Sequence, residues 1–153
     1  MRLLIQRVSE TTVSIDGAVH SSIGKGLLVL IGIHQSDSSS DIPWLAKKLV
    51  ELRIFEDEND KMNRSVLDIK GEILVISQFT LYADCRRGRR PDFIDAANPK
   101  LAEQLYDEFV NEVKTYGLTV KTGVFAANMQ VSLVNDGPVT IILDSRDSRS
   151  KTG

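Results

Sequence analysis

Two apolar segments determine the predicted architecture, Leu27-Leu28-Val29-Leu30-Ile31 and Ile73-Leu74-Val75-Ile76. Each is an uninterrupted apolar run of strand length, the pattern of a strand that is covered on both faces. Segments with apolar residues at helical spacing follow each run along the chain. Buried strands interleaved with helices predict an α/β domain with a mixed, barrel-like sheet and flanking helices.

Two helices are predicted outside these strands. The first follows Asp41, a residue type that caps helices, and has Pro43 in its first turn. The second begins at Asn98-Pro99 and ends near Gly117. Their apolar faces repeat at helical spacing and consist of Leu45, Leu49 and Leu52 in the first helix and Leu101, Leu105, Phe109 and Val113 in the second.

The remaining predicted strands lie near the N-terminus and after the second helix. Alternating residues around Asp16-Gly17 predict an N-terminal hairpin. Further strands are expected over residues 118–121, 129–134 and 139–143. We therefore expect one domain over residues 1–144, followed by a polar, flexible tail over residues 145–153.

Composition excludes several classes of protein. The chain has 153 residues, a net charge of −2 and one cysteine, which suit a single domain in a reducing, cytoplasmic compartment. We expect neither a membrane nor DNA as a partner, because no apolar run is long enough to span a bilayer and the overall charge is negative. One local basic cluster remains, formed by Arg86, Arg87, Arg89 and Arg90.

Common catalytic groups are missing from the sequence. His20 and His34 are the only histidines, and neither belongs to a cluster with metal-ligand spacing, so we expect no metal and no cofactor. Cys85 could be a thiolate stabilised by its arginine neighbours, but a free, unreactive thiol is the favoured interpretation. A hydrolase with this sequence would work without a dedicated side-chain base.

Ser77-Gln78-Phe79-Thr80-Leu81 lies where a buried strand is expected to end. Successive backbone N–H groups lose their sheet partners there and can point at one oxyanion. By itself the segment is equally typical of a polar strand end before a turn.

Asn135-Asp136-Gly137-Pro138-Val139-Thr140 separates two predicted strands, and a hairpin turn is its simplest interpretation. Proline supplies no N–H and glycine permits close approach, so this loop presents carbonyl oxygens on a stiff backbone. Such carbonyls can bind an ammonium group.

Together, and in this order, the two motifs resemble the signature of the D-aminoacyl-tRNA deacylase family. The flanking segments Leu52-Arg53-Ile54-Phe55, Gly71-Glu72-Ile73-Leu74, Gly88-Arg89-Arg90-Pro91 and Gly123-Val124-Phe125 agree as well. The resemblance covers the whole chain apart from the tail. It implies a homodimer that cleaves the ester between tRNA and a D-amino acid, also cleaves glycine mischarged on tRNA(Ala), and rejects L-aminoacyl-tRNA.

The resemblance also implies roles for individual residues. Gly137-Pro138, with a cis peptide bond, would select the D enantiomer from within the partner subunit's site. Catalysis would involve Ser77, Gln78 and the backbone amides of Phe79 and Thr80, with water as the nucleophile.

Several assignments keep alternatives. Phe125, Met129 and Asn135 would contact the terminal adenosine, although the first two could equally be core residues. The four arginines would hold tRNA phosphates or simply form a solvated loop. Thr80 is an alternative, covalent nucleophile, and a non-catalytic module that binds the tRNA 3′ end is the main alternative function.

Overall fold

The computed structural model of this protein describes residues 1–149. Within that range, no helix is long and apolar enough to cross a membrane. The elements in chain order are β1 (Arg2–Ile15), β2 (Ala18–Ile23), β3 (Gly26–Gly32), α1 (Ile42–Glu51), β4 (Phe55–Glu56), β5 (Met62–Arg64), β6 (Glu72–Ser77), α2 (Pro99–Lys114), β7 (Thr119–Thr122) and β8 (Gln130–Asp144).

The main sheet is mixed and nearly closed. Its strand order is β2-β1-β3-β6-β7, and β8 pairs with β1 along nearly its whole length. The β3–β6 and β6–β7 pairs are parallel and the others antiparallel. The sheet curls until β7 reaches β2, where Ser21 Oγ donates to the Thr122 carbonyl at 2.8 Å and Lys121 Nζ donates to the Ser22 carbonyl at 2.7 Å. The predicted single α/β domain with a barrel-like sheet is confirmed.

The core lies between this sheet and the two helices. Both strands that were expected to be covered on two faces are buried along most of their length. Leu45, Leu49 and Phe109 of the helices are fully buried against them. Each such leucine contributes about 2 kcal/mol relative to an exposed one, so the helical faces are a main source of stability.

The two predicted helix starts differ in detail. Asn98 caps α2 as expected, because its side chain accepts a hydrogen bond from the Leu101 amide at 3.0 Å. Asp41 precedes α1, but its carboxylate accepts from the Ser38 amide and pairs with Arg149 and does not cap the helix.

The strands predicted over 129–134 and 139–143 are one strand, β8, which corrects the hairpin interpretation of the segment between them. β8 stays antiparallel to β1 on both sides of this segment. Gln6 pairs with Thr140 and Val8 pairs with Asn135, so residues 136–139 bulge out opposite Arg7 alone. A turn-forming sequence here interrupts a strand without reversing it, because β1 pairs with both flanks.

The segment just after the expected boundary at residue 144 contacts the fold. Ser145–Ser148 form a 3-10 turn in which Ser145 is buried and its amide donates to the Met1 carbonyl at 2.8 Å. Arg146 pairs with Asp144 at 2.7 Å. The predicted division into a domain over 1–144 and a flexible tail stays a prediction. The rest of the predicted tail, 150–153, lies outside the described residues.

Candidate active site

A cleft of about 550 Å³ opens beside the end of β6. It brings Ser77, Gln78 and Phe79 together with Phe125 and Met129, which are more than 40 positions away in sequence. None of the lining residues carries an acidic, basic, imidazole, thiol or phenol group. The remaining lining residues are Ile33, Ile76, Phe93, Ala96, Ala97, Pro99, Ala102, Ala126, Ala127, Asn128 and Val131.

The end of β6 leaves two backbone donors without partners. The Gln78 amide makes the last bond to β3, donating to the Ile31 carbonyl at 2.8 Å, and a 3-10 turn over Phe79–Tyr82 follows. Within residues 1–149, the amides of Phe79 and Thr80 form no hydrogen bond. Two successive free N–H groups beside a cleft can stabilise the negative charge that develops on a carbonyl oxygen under attack.

Side-chain chemistry at this turn is sparse. The Thr80 hydroxyl accepts a hydrogen bond from Gln78 Nε2. Among residues 1–149, no carboxylate or imidazole is hydrogen-bonded to Thr80, and no group of three or more His, Cys, Asp or Glu side chains could hold a metal ion. The turn thus offers hydrogen-bond donors to a reacting ester, but no general base for a nucleophilic threonine.

The opposite wall of the cleft carries the two residues that were expected to contact adenosine. Phe125 is half-buried and packs against Tyr106, with ring centroids 6.1 Å apart. Tyr106 donates its hydroxyl to the Val75 carbonyl at 2.9 Å, and burial raises the pKa of this phenol to about 12. Phe125 is therefore supported from behind by a fixed ring, and Phe125 and Met129 both present surface to the cleft.

Sequence reasoning missed Phe93 and residues 126–128, which also line the cleft. Phe93 contacts Phe79 edge to face, with ring centroids 5.0 Å apart. Ala126 has a positive φ of 62°, which no residue type in the segment signals. For Phe93, the one indication in the sequence is that an aromatic residue follows directly after the basic cluster.

The Gly137-Pro138 loop is held from within the fold. Its Gly137–Pro138 bond is cis, as the resemblance implied, and Gly137 has a φ of 148°, a conformation that favours glycine. Arg7, only 6% exposed, donates through Nε to the Asp136 carbonyl at 2.7 Å and through Nη1 to the Ile54 carbonyl at 2.8 Å. The bulge is thus tied to two different parts of the chain by one buried guanidinium.

Asn135 braces the same loop from its other side. Its Oδ1 accepts from the Val139 amide at 2.8 Å, and its Nδ2 donates to Thr140 Oγ1 at 3.1 Å. Asn135 does not line the cleft that holds Phe125 and Met129. Its predicted contact with adenosine stays a prediction, while its contacts in this protomer stabilise the loop.

The two motifs do not line the same hollow within the described residues of the chain. Gly137 lines a separate, polar hollow of about 290 Å³ together with Arg7, Lys25, Phe55, Glu56 and Asp136. The cleft beside β6 is lined by neither Gly137 nor Pro138. One chain therefore carries both motifs but does not assemble them into one cavity.

The basic cluster lies on a projecting loop whose base is closed by reciprocal backbone hydrogen bonds between Asp84 and Asp92, at 2.9 and 3.0 Å. Arg86 pairs with Asp84 at 2.6 Å, and this hydrogen bond lowers the pKa of Asp84 to about 2. Arg86 therefore anchors the loop. The other three arginines, at 87, 89 and 90, are exposed and have no hydrogen-bond or ion-pair partner among residues 1–149.

Comparison with known proteins places these motifs in a family. The family model described as D-Tyr-tRNA(Tyr) deacylase matches residues 4–144. A D-aminoacyl-tRNA deacylase of Clostridioides difficile (strain 630) is 59% identical over 148 residues, 97% of this chain and 99% of the relative. One of Thermosipho africanus (strain TCF52B) is 57% identical over 146 residues, 95% of this chain and 98% of the relative.

Solved structures share the fold. That of a protein named "c-Myc DNA Unwinding Element Binding Protein" has a TM-score of 0.89 at 41% identity and covers 94% of this chain and 98% of its own. A probable eukaryotic D-amino acid tRNA deacylase has a TM-score of 0.81 at 16% identity over 93% of this chain and 97% of its own, a likeness of fold alone. With the family model matching nearly the whole described chain, this protein belongs to the D-Tyr-tRNA(Tyr) deacylase family.

Proposed function

We propose that this protein hydrolyses the ester of D-aminoacyl-tRNA and so releases free tRNA and the D-amino acid. The observation that supports this most directly is the pair of unpartnered amides, Phe79 and Thr80, at a cleft without a titratable side chain. An aminoacyl ester is already activated, so two oriented donors suffice to lower its barrier to hydrolysis. The activity of the named relatives agrees with this chemistry.

In the proposed step, a water oxygen attacks the ester carbonyl carbon. The two amides stabilise the oxyanion, and the bond from that carbon to the ribose 3′ oxygen then breaks. The proton that the attacking water loses is transferred to the leaving 3′ oxygen. The neighbouring ribose 2′-OH assists this transfer. Gln78, bonded to Thr80, and Ser77 hold the ester and ribose against the turn.

The site is completed by a second copy of the chain. The loop at Gly137 and the cleft beside β6 are separate in one protomer, so a homodimer is needed to bring them together. β8 supports this arrangement because, among residues 1–149, it pairs only with β1, and it exposes Val134 and Ile142 by 49% and 62%. An apolar edge strand of this length is normally covered.

Stereochemical selection then follows from the loop. The backbone carbonyls around Gly137-Pro138 face the α-carbon and ammonium of the substrate from the partner subunit. A side chain in the L configuration collides with this backbone, a D side chain points away from it, and glycine has nothing to collide. A rigid wall discriminates more strongly than a loosely fitting pocket does, so the fixed contacts of Arg7 and Asn135 matter for selectivity.

The terminal adenosine occupies the wall formed by Phe125 and Met129. Aromatic and thioether side chains bind a base by its face, and Phe125 is held in place by Tyr106. The cleft volume of about 550 Å³ lies within the usual range for small-molecule sites.

Incubation with D-tyrosyl-tRNA, L-tyrosyl-tRNA and glycyl-tRNA tests this proposal. We expect fast release of D-tyrosine and glycine, and release of L-tyrosine no faster than the uncatalysed rate. The alternative, a non-catalytic module that binds the tRNA 3′ end, predicts that the D ester is protected from hydrolysis. Binding of duplex DNA, suggested by the name of one structural relative, is measured in parallel, and we expect it to be weak at physiological salt because the net charge is −2.

A further inference from the structure

The loop over residues 85–94, called here the arginine loop, concentrates unpaired positive charge. Arg87, Arg89 and Arg90 are exposed and have no partner among the described residues. The acidic residues at the base of the loop are already engaged: Asp84 pairs with Arg86, and Asp92 Oδ1 accepts from the Ile94 amide at 3.3 Å. In a chain whose net charge is −2, three neighbouring guanidiniums without carboxylate partners form a local anion-binding surface.

Apolar surface connects these arginines to the cleft. Phe93 is 37% exposed, lines the cleft and contacts Phe79 edge to face. Ile94, next in sequence, is 75% exposed and lies outside the cleft lining. Exposed apolar side chains therefore lie on the same loop as the arginines, just after Arg90, and one of them, Phe93, lines the cleft beside Phe79.

This combination fits one class of ligand. Proteins that hold single-stranded nucleic acid pair a cationic track for the phosphates with apolar or aromatic side chains that contact the base faces. An acidic peptide would use the arginines but would leave the apolar surface between them and the cleft unused. If the terminal nucleoside of the substrate lies in the cleft, the phosphates of the preceding nucleotides must lie outside the cleft, at its edge.

We propose that the arginine loop binds the unpaired nucleotides that precede the terminal adenosine of the substrate. Arg87, Arg89 and Arg90 contact their phosphates, and the Phe93-Ile94 surface contacts the base of the neighbouring nucleotide. Arg86 only anchors the loop to Asp84. The proposal rests on the proposed function and extends its site from one nucleoside to a short single strand.

A series of esters of increasing length tests it: D-tyrosyl adenosine, the D-tyrosyl ester of the dinucleotide CA, that of the trinucleotide CCA, and D-tyrosyl-tRNA. The second and third esters add one and two phosphates to the first. We expect kcat/KM of the unmodified protein to rise with each added nucleotide, mainly through KM.

The variant Arg87→Gln/Arg89→Gln/Arg90→Gln removes the proposed phosphate contacts. We expect about a tenfold loss of kcat/KM on the trinucleotide ester and on D-tyrosyl-tRNA, and no change on D-tyrosyl adenosine. The slope of log kcat/KM against log salt on these longer substrates should become shallower by about 0.7 for each lost phosphate contact. The control Lys47→Gln/Lys48→Gln/Lys114→Gln removes the same charge from exposed positions on α1 and α2 and should leave the series unchanged.

Ile94→Ser tests the base contact separately, with Val19→Ser, 69% exposed on β2, as its control. We expect about a threefold loss for Ile94→Ser on the dinucleotide ester, the trinucleotide ester and D-tyrosyl-tRNA, and no loss on D-tyrosyl adenosine. Equal kcat/KM of the unmodified protein on all four substrates would overturn this proposal and leave the proposed function standing. Equal behaviour of the two triple variants would do the same. Failure to cleave any of the four esters would refute the proposed function, and this proposal with it.

Discussion

The two motifs of this protein differ in the backbone groups that their own fold leaves free. In the loop at Gly137, Arg7 donates to the Asp136 carbonyl and Asn135 accepts from the Val139 amide. The turn at Phe79 is held at both ends, by the bond from the Gln78 amide to β3 and by Arg2, which donates to the Leu81 carbonyl at 2.8 Å. Between these contacts, the amides of Phe79 and Thr80 have no partner in the described chain. A surface that selects one enantiomer must be rigid. A surface that stabilises a transition state must keep its hydrogen-bond donors free for the reacting atom.

The difference also explains why one chain lacks dedicated catalytic side chains. In our proposal the loop and the turn do their work with backbone groups, and the side chains around them serve to position that backbone. Arg7 and Asp84 form such supporting contacts, and no titratable residue of the described chain lines the cleft. Removing a backbone donor should therefore harm activity more than removing a nearby hydroxyl.

The largest effect is expected from Phe79→Pro, which removes one of the two free amides. Proline can be placed here, because Phe79 is the first residue of a 3-10 turn and Gln78 before it, with φ −142° and ψ 83°, lies outside the helical region that a following proline disfavours. We expect kcat for D-tyrosyl-tRNA to fall about 100- to 1,000-fold. Phe79→Ala loses the same ring but keeps the amide, so equal losses in the two variants would show that the amide has no role.

A smaller effect is expected from Arg7→Met, which removes the guanidinium that holds the Gly137-Pro138 loop. The carbonyls of Asp136 and Ile54 lose their donor, which should lower the free energy of unfolding by about 2 kcal/mol. The ratio of D- to L-tyrosyl-tRNA cleavage should fall about tenfold as the loop loosens. Denaturant unfolding and both deacylation rates are measured, with Arg53→Met, an exposed arginine, as control. Unchanged selectivity in a destabilised variant would mean that the brace serves folding alone.

The smallest effect is expected from Thr80→Ala. Its hydroxyl is bonded to Gln78 and to no base among the described residues, so its removal should reduce kcat by less than about tenfold. Single-turnover rates report this directly. Loss of all activity with tRNA binding intact would instead favour a covalent mechanism through Thr80.

The sequence predicted the elements better than it predicted how they meet. Buried strands, both helices and the hairpin at Asp16-Gly17, where φ is 50° and 78°, follow from local patterns and are confirmed. The sequence predicts two strands in place of β8, because the turn-forming residues between them favour a turn locally. Pairing of both flanks with β1 keeps the segment one strand.

Much of the site could be read from the sequence, but its supports could not. The sequence motifs indicate Ser77, Gln78, Phe79, Phe125 and Met129, and the structure places these five residues in one cleft. The sequence does indicate that Arg7 is buried, because it alternates in phase with Leu3 and Ile5 along the strand, and the structure buries all three residues. Phe93 reaches the cleft through an irregular loop, whose path no periodic pattern encodes.

Mixing of variant subunits shows whether the loop of one protomer and the turn of another build each site. Phe79→Pro disables the turn. Gly137→Val distorts the loop, because a Cβ at this φ of 148° would lie 2.8 Å from Val139 Cγ2 and 2.9 Å from the Val139 nitrogen. Each variant alone should therefore be inactive. If the two motifs meet between subunits, a refolded equimolar mixture contains mixed dimers with one intact site each, and about a quarter of the unmodified activity should return. A mixture that stays as inactive as its two components would show that each chain builds its site alone.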